Sequence, residues 1–508
     1  MERKWWTLVL ISIATFMLLL DITIVNIALP EIQRELNASL SSLQWVVDAY
    51  SLMLAACLLT AGSLGDRLGR RRVFTLGFGV FTLASFLCGV SGDATLLNLA
   101  RGLQGVGGAA MFATSLALIG QEFHGKDRAT AFGVWGATIG GAIAIGPLVG
   151  GVITEHLGWE WIFFINVPIG AAAIALTELR LANVAAQDPQ RIDLPGLATF
   201  SFGLFLLIFG LIRGNPEGWG SGVIVVSLAG AALFLAAFVA IEARSSHPML
   251  DLTLFRKPAF NGVSAVAFGL SAGMFALYLY LTIYLQGVQG FSPLETGLRF
   301  LPLTVLSFIA SPIAGSLSHR IPIRVLLGVG LALVGLGLLL MHGLSADSPE
   351  SDLLLGFLVA GVGIGTANPG IGQAAIGVVP PQKAGMGSGI NTTFRQVGIA
   401  TGVASLGAVF QSRVDAKIGE LLPHAQHGLG EIVSSGGSVA AAKVVPAGQR
   451  PEVVHAAKVA FVSGFNEILL IGAILSFVVA ALGFLLVRSS DFVPVASAEA
   501  GTTEPAPA

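Results

Sequence analysis

Fourteen long apolar runs limit what this chain can become more tightly than any single motif does. They lie at about 6–29, 42–63, 73–92, 95–120, 129–154, 160–181, 194–214, 220–243, 258–287, 294–318, 323–343, 352–378, 385–411 and 457–487. A helix needs about 20 apolar residues to cross the hydrocarbon core of a bilayer. In lipid, only helices and closed barrels satisfy all of their own backbone polar groups. Barrel strands alternate apolar and polar residues over about 10 positions, and these runs do not. Only 11% of the residues are charged and 54% are hydrophobic, too little polar surface for a soluble fold of this size. The expected fold class is therefore an all-α integral membrane protein with 14 transmembrane helices.

An even number of spans places both termini on one side, and basic residues choose the side. With the N-terminus in the cytoplasm, the inner segments hold Arg67, Arg70, Arg71, Arg72, Lys126, Arg128, Arg320, Arg324 and Lys383, while the short outer loops hold little beyond Arg34 and Arg213. The expected location is the cell (inner) membrane, multi-pass, with cytoplasmic termini. One outer loop, about 412–456, is long and rich in Gly, Ala and Ser, and the tail 489–508 is expected to be disordered.

The runs also repeat. Ala61-Gly62-Ser63-Leu64 closes the second span and Ala314-Gly315-Ser316-Leu317 closes the tenth, each followed by an arginine at the same offset. Gly105-Val106-Gly107 in span 4 is echoed by Gly361-Val362-Gly363 in span 12. The simplest division is a six-helix bundle over 1–182, two inserted spans over 183–256, and a second six-helix bundle over 257–488. Repeats of this kind mark secondary transporters, whose halves rock around a central site.

Gly62-Ser63-Leu64-Gly65-Asp66-Arg67-Leu68-Gly69-Arg70 resembles the loop 2–3 signature of the major facilitator superfamily. The resemblance implies a conformational latch made by Gly62, Asp66, Arg67, Gly69 and Arg70. Asp66 would sit against the positive N-terminus of span 13, and Arg67 and Arg70 would reach Glu122 or Asp127. The second-half copy has His319 where the aspartate would be. Leu20-Asp21-Ile22-Thr23 through Pro30 resembles the first helix of the fourteen-span drug:proton antiporters, also known as multidrug or quaternary-ammonium-compound exporters. Gly146-Pro147-Leu148-Val149-Gly150-Gly151 resembles the antiporter motif of the superfamily, whose Gly-Pro content would let span 5 bend and approach a partner across the interface between halves. Arg101 and Gln104 fall in a stretch similar to the family's buried-arginine motif, and Asn391 and Arg395 in its weaker span-13 motif.

A charge inside hydrocarbon costs from about 2.5 to over 10 kcal/mol, so each needs a partner, a wet cavity or a proton. Asp21 lies ~22 Å along span 1, beyond easy reach of the cytoplasm. It is the foremost candidate to bind the coupling proton or a cationic substrate, one excluding the other. Asp48 in span 2 and Glu467 in span 14 are further candidates, and Arg101 is expected to tune Asp21 or Asp48. Asn26, Trp45, Tyr50, Gln104, Trp135, Tyr284, Asn391 and Arg395 are candidate cavity residues, since amphipathic cations suit an apolar, aromatic site.

No phosphate-binding G-x-x-x-x-G-K-[ST] loop is present, no metal-ligand spacing occurs, and Cys57 and Cys88 lie inside apolar runs. A net charge of -2 gives no reason to invoke nucleic acid. The expectation is a monomeric transporter, not an enzyme, without cofactor or metal. It would work on a small-molecule substrate, in a lipid bilayer, driven by a proton gradient. Proton-coupled export of amphipathic cationic drugs or dyes is the leading reading. Export of one endogenous metabolite, siderophore, antibiotic or lipid, an import symporter, and a non-transporting membrane sensor are the alternatives.

Overall fold

The structure, a computed structural model, describes all residues except 1, 39, 182–192, 246–247, 381–382, 424–428, 435–449 and 493–508. The long helices in chain order are α1 (Arg3–Leu36), α2 (Leu40–Leu68), α3 (Arg70–Gly89), α4 (Ala94–Glu122), α5 (Gly125–Leu157), α6 (Trp161–Arg180), α7 (Leu194–Glu217), α8 (Gly222–Glu242), α9 (Pro258–Ile283), α10 (Pro293–Leu317), α11 (Ile323–Leu340), α12 (Leu354–Gly377), α13 (Ala384–Leu421) and α14 (Arg450–Leu486). Among the described residues, 13 helices are long and apolar enough to cross a membrane. The expected fifth span falls within α5, which runs for 33 residues. Side chains such as Leu76, Leu83, Leu179, Val226, Leu233 and Leu485 stand exposed around the helices, as lipid-facing residues must.

Helices α1–α6 pack around one apolar core and α9–α14 around another. The paired helices α7 and α8 attach through α7 to α2 and α13. The glycine echoes account for much of this arrangement. A Cβ on Gly105 would strike the Tyr50 carbonyl of α2, and one on Gly361 would strike the Leu303 carbonyl of α10. Two residues on, Gly107 lies against Gly77 and Phe81 of α3, and Gly363 against Gly330 of α11. The same two-glycine spacing thus performs the same packing in each half, shifted by eight helices.

The other echo joins the halves. A Cβ on Gly62 of α2 would overlap the Gly385 carbonyl of α13, and one on Gly315 of α10 would lie 2.6 Å from the Ala129 carbonyl and 2.8 Å from the Gly133 Cα of α5. Backbone therefore meets backbone at both crossings, as small residues allow between membrane helices. Close by, Gly120 of α4 meets Ile376 of α12, and Gly372 of α12 meets Phe132 and Trp135 of α5. These contacts draw the halves together at the end that carries Asp66.

Helix α13 continues to Leu421 and α14 begins at Arg450. A short helix, Leu429–Ser434, lies between them. Both flanks of the segment expected as a long loop are thus helical, while residues 424–428 and 435–449 fall outside the described residues, as does the tail from 493.

Replacing Gly62 or Gly315 by Val should overpack these crossings and cost about 1–3 kcal/mol each. Gly79, with nothing near its Cβ position, is the neutral control. Thermal unfolding of the purified protein in detergent measures all three.

Candidate functional site

Asp21 and Arg101 form an ion pair closed off from solvent, 3% and 1% exposed. Arg101 Nη1 donates to Asp21 Oδ2 at 2.5 Å. One turn along the same face of α4, Gln104 donates through Nε2 to Asp21 Oδ1 at 2.8 Å and to Ser85 Oγ at 2.9 Å. The Gln104 Oε1 accepts in turn from Arg101 Nη1 at 2.7 Å. Arg101 Nε donates to the Val46 carbonyl of α2 at 2.9 Å. Its guanidinium lies 4.4 Å from the Tyr50 ring centroid and 5.7 Å from that of Phe163, and the Tyr50 hydroxyl points to the Leu18 carbonyl at 3.5 Å. Residues three apart on a helix share a face, so one face of α4 fills both carboxylate oxygens of α1.

The arrangement has a chemical consequence. Two opposite charges cancel in a dry site, and each is also hydrogen-bonded, the condition under which a buried pair is tolerated. Removing either charge alone strands the other.

Asp48 does not join this cluster. It faces Arg213 of α7 at 3.9 Å, and Arg213 also pairs with Glu217 at 2.9 Å and donates to Gln44 Oε1 at 3.0 Å. Trp45 stacks on Phe209 of α7 at 5.8 Å, with the Arg213 guanidinium 5.6 Å from its ring. Asp48 and Trp45 thus dock the inserted helices. Arg213, expected in an outer loop, is a nearly buried residue of α7. Its signal was the Arg213/Glu217 spacing at the end of an apolar run.

At the latch, Asp66 Oδ1 accepts from the Gly385 N–H at 2.9 Å and Oδ2 from the Met386 N–H at 2.8 Å, in the first turn of α13 as expected. Gly69 adopts φ 97° between α2 and α3, a conformation that favours glycine. The basic partners differ from the expectation. Arg70 folds back on Asp66 at 2.9 Å and reaches the Ala117 carbonyl and Gln121 Oε1 of α4, both at 3.3 Å. Arg67 donates to the Pro248 carbonyl at 3.4 Å. Glu122 takes Arg3 at 3.9 Å and Asp127 takes Lys4 at 2.9 Å. The segment after α8 spans the latch, since Asp251 pairs with Lys383, the residue that opens α13, at 3.1 Å. Burial works against the Asp251 charge, but hydrogen bonds from Thr253 and Lys383 outweigh it and hold the carboxyl below its usual range. The second copy is different. His319 and Arg320 are exposed there.

Gly146 and Gly150 do not face the other half. Cβ atoms there would meet Thr23 and Ile24 of α1, the turn just past Asp21. Gly151 has open space beside it, and the Pro147 side chain lies outside the described residues. The crossing to α10 is made earlier on α5, by Gly133, Gly136 and Gly140 against Pro312, Ser311 and Ser307. Trp135 is buried and donates to Thr15 Oγ1 at 3.1 Å.

The remaining candidates are scattered. Asn26 is exposed and donates to the Ile22 carbonyl of its own helix. Tyr284 starts a π-turn after α9, stacks on Phe465 at 5.3 Å and accepts from Gln289 at 2.7 Å. Arg395 is buried and donates to Asn368 Oδ1 at 3.0 Å. Asn391, also buried, lines a small void with Phe260, Ser264 and Ile390. Glu467 is 43% exposed and lies 3.9 Å from Arg413. Its neighbour Asn466 binds the backbone of Gly343 and Leu344 past the end of α11.

Residues 11–403 match the Major Facilitator Superfamily. The chain belongs to that family: it is a multi-pass membrane transporter acting on small molecules, not an enzyme. It is 33% identical to the tetracenomycin C resistance and export protein of Streptomyces glaucescens, over 98% of this chain and 96% of the relative. It is 37% identical to the multidrug resistance protein Stp of Mycobacterium tuberculosis, over 84% of this chain and 81% of the relative. It is 38% identical to the puromycin resistance protein pur8 of Streptomyces alboniger, over 80% and 82%. The crystal structure of the human organic anion transporter MFSD10 superposes with a TM-score of 0.64 over 94% of this chain and all of that one, at 14% identity, a likeness of fold.

Truncating Arg101 to Ala should cost about 3–5 kcal/mol, because it leaves Asp21 buried and unpaired. The double variant Asp21→Asn, Arg101→Gln should lose less than the two single changes summed. Denaturant unfolding in mixed micelles measures the cycle.

Proposed function

We propose that the protein is a proton-coupled secondary exporter of amphipathic, cationic drugs or dyes. It works by alternating access in the inner cell membrane, as a monomer, with both termini in the cytoplasm. The observation that carries this reading is the sealed Asp21–Arg101–Gln104 cluster at the heart of a transporter whose sequence has no phosphate-binding loop. A carboxylate held by a resident cation can be claimed by a different cation or by a proton, but by only one at a time. That exclusion is what antiport requires. The names of the relatives, for drug resistance and export, point the same way.

The units that rock are residues 1–182 and 257–488, with 183–256 riding on them. The basic residues beside Asp66 support a latch on the cytoplasmic side. The contacts between α2 and α13 and between α5 and α10 close that side. Gly146 and Gly150 lay α5 against α1 at Thr23 and Ile24, and motion of α5 is thereby felt one turn from Asp21. Asp48 and Glu467 serve other ends, Asp48 by docking α7 and Glu467 by pairing at the outer rim.

A second reading draws on the relative that aligns over almost the whole chain, which is named for one antibiotic. On that reading the substrate is a single compound and the coupling is unchanged.

In everted vesicles under an imposed pH gradient, the wild type should move ethidium against its gradient. Asp21→Asn should abolish the movement, and Asp21→Glu should retain part of it. Gradient-driven transport at wild-type rate in a folded Asp21→Asn protein overturns the reading. Movement of none of a panel of dyes by the wild type favours the single-compound alternative.

A further inference from the structure

The inserted helices bring together two carboxyl groups that the transport site does not use. Glu242 ends α8 and is 4% exposed. Its Oε2 accepts from the Leu250 N–H at 3.2 Å, while its Oε1 is buried without a hydrogen-bond partner. Asp193 caps α7, with Oδ1 accepting from the Gly196 N–H at 2.8 Å. Its Oδ2 is likewise buried and unpartnered. Gly196 stands beside both open oxygens. A Cβ there would lie 2.7 Å from Glu242 Oε1 and 3.0 Å from Asp193 Oδ2. The two oxygens are thus within roughly 6 Å of one another, close enough for their charges to repel.

Among the described residues, the other charges around Glu242 do not resolve the conflict. Arg67 of α2 acts on it across the gap and donates to the Pro248 carbonyl. Arg244, the next charged residue along, is exposed, and Asp251 is engaged by Lys383. Two ionised carboxylates, each with a dry oxygen and no donor, would be costly to bury. One proton removes the repulsion and supplies the missing O–H.

We propose that Glu242 and Asp193 form a proton-binding site at the base of the inserted helices, separate from Asp21. The proton, held on Glu242, relieves the repulsion between the first turn of α7 and the end of α8. Through Leu250 it steadies the 248–251 segment, which touches Arg67 on one side of the latch and Lys383 on the other. Loss of the proton sets the two carboxylates against each other and frees the first turn of α7. The inserted pair is thereby a pH-sensing brace on the latch. This inference stands independently of the export reading, and its test reads the protein rather than transport.

The test uses the full-length protein in lipid nanodiscs. Infrared difference spectra follow the protonated-carboxyl C=O band across pH, and hydrogen exchange, corrected for its intrinsic pH dependence, follows the first turn of α7. The wild type should show a titrating band whose loss coincides with faster exchange at 194–197. Glu242→Gln should abolish the band and keep that turn protected at every pH, because the uncharged amide does not repel Asp193. Asp193→Asn should move the midpoint down by about one pH unit, since it removes the opposing charge. Asp21→Asn should leave this band in place whether or not it abolishes transport. A band unchanged in Glu242→Gln overturns the proposal, as does exchange that is the same on both sides of the titration. If Glu242→Gln does not fold, an unmoved midpoint in Asp193→Asn overturns it alone. A midpoint that shifts with Na+ at constant ionic strength assigns the oxygens to a metal cation instead and also overturns it.

Discussion

The closed end of this transporter depends on a carboxylate meeting a helix that begins without partners for its first N–H groups. The opening turn of any α-helix leaves such donors unsatisfied, and α13 presents Gly385 and Met386 to Asp66 of the other half. The glycine crossings bring the two backbones near enough for a side chain as short as aspartate to span them. Arg70, itself tied to α4, holds the carboxylate from behind. Charge, helix end and small residues are thus interdependent. Without the glycines the carboxylate would not reach, and without the carboxylate the α13 terminus would be buried unsatisfied.

The ion pair in the first half obeys the same accounting with the opposite effect. Asp66 joins two bodies, whereas Asp21 and Arg101 hold α1 to α4 within one. The pair costs desolvation on both sides, and its worth lies in what it forbids. While Arg101 occupies Asp21 the site is neutral and full. The placement of Gly146 and Gly150 beside Thr23 and Ile24 puts the kink-prone helix α5 against the same turn of α1.

Much of this was legible in the sequence, and the rest was hidden for definite reasons. The spans and the Asp66 contact could be read because lipid demands long apolar runs and because the latch residues are contiguous. The echoes Gly105/Gly361 and Gly62/Gly315 were legible as repeats, and the structure shows that each pair makes equivalent contacts. The pairing of Asp21 with Arg101 joins residues 80 apart; the sequence offered Arg101 to either Asp21 or Asp48, and spacing does not choose between them. Gly146 and Gly150 show the opposite difficulty. Their spacing marks a face of α5 but does not say which neighbour lies against it, and that neighbour is α1 of the same half. Arg34, expected in an outer loop, lies in helix because hydropathy reports lipid rather than helix, and α1 outlasts its apolar run. For the same reason α13 carries Arg413, Asp415 and Lys417 in regular helix beyond its apolar run.

The side-chain-free seams at Gly62–Gly385 and Gly315–Gly133 have a mechanical consequence. Interlocked side chains resist sliding, because each knob must leave its hole before the surfaces can shift. Two smooth backbones in contact behave as a bearing instead. At these crossings little resists sliding, and the closed end is held instead by the polar Asp66 contact and by the apolar side chains beside it, Ile376, Phe132 and Trp135.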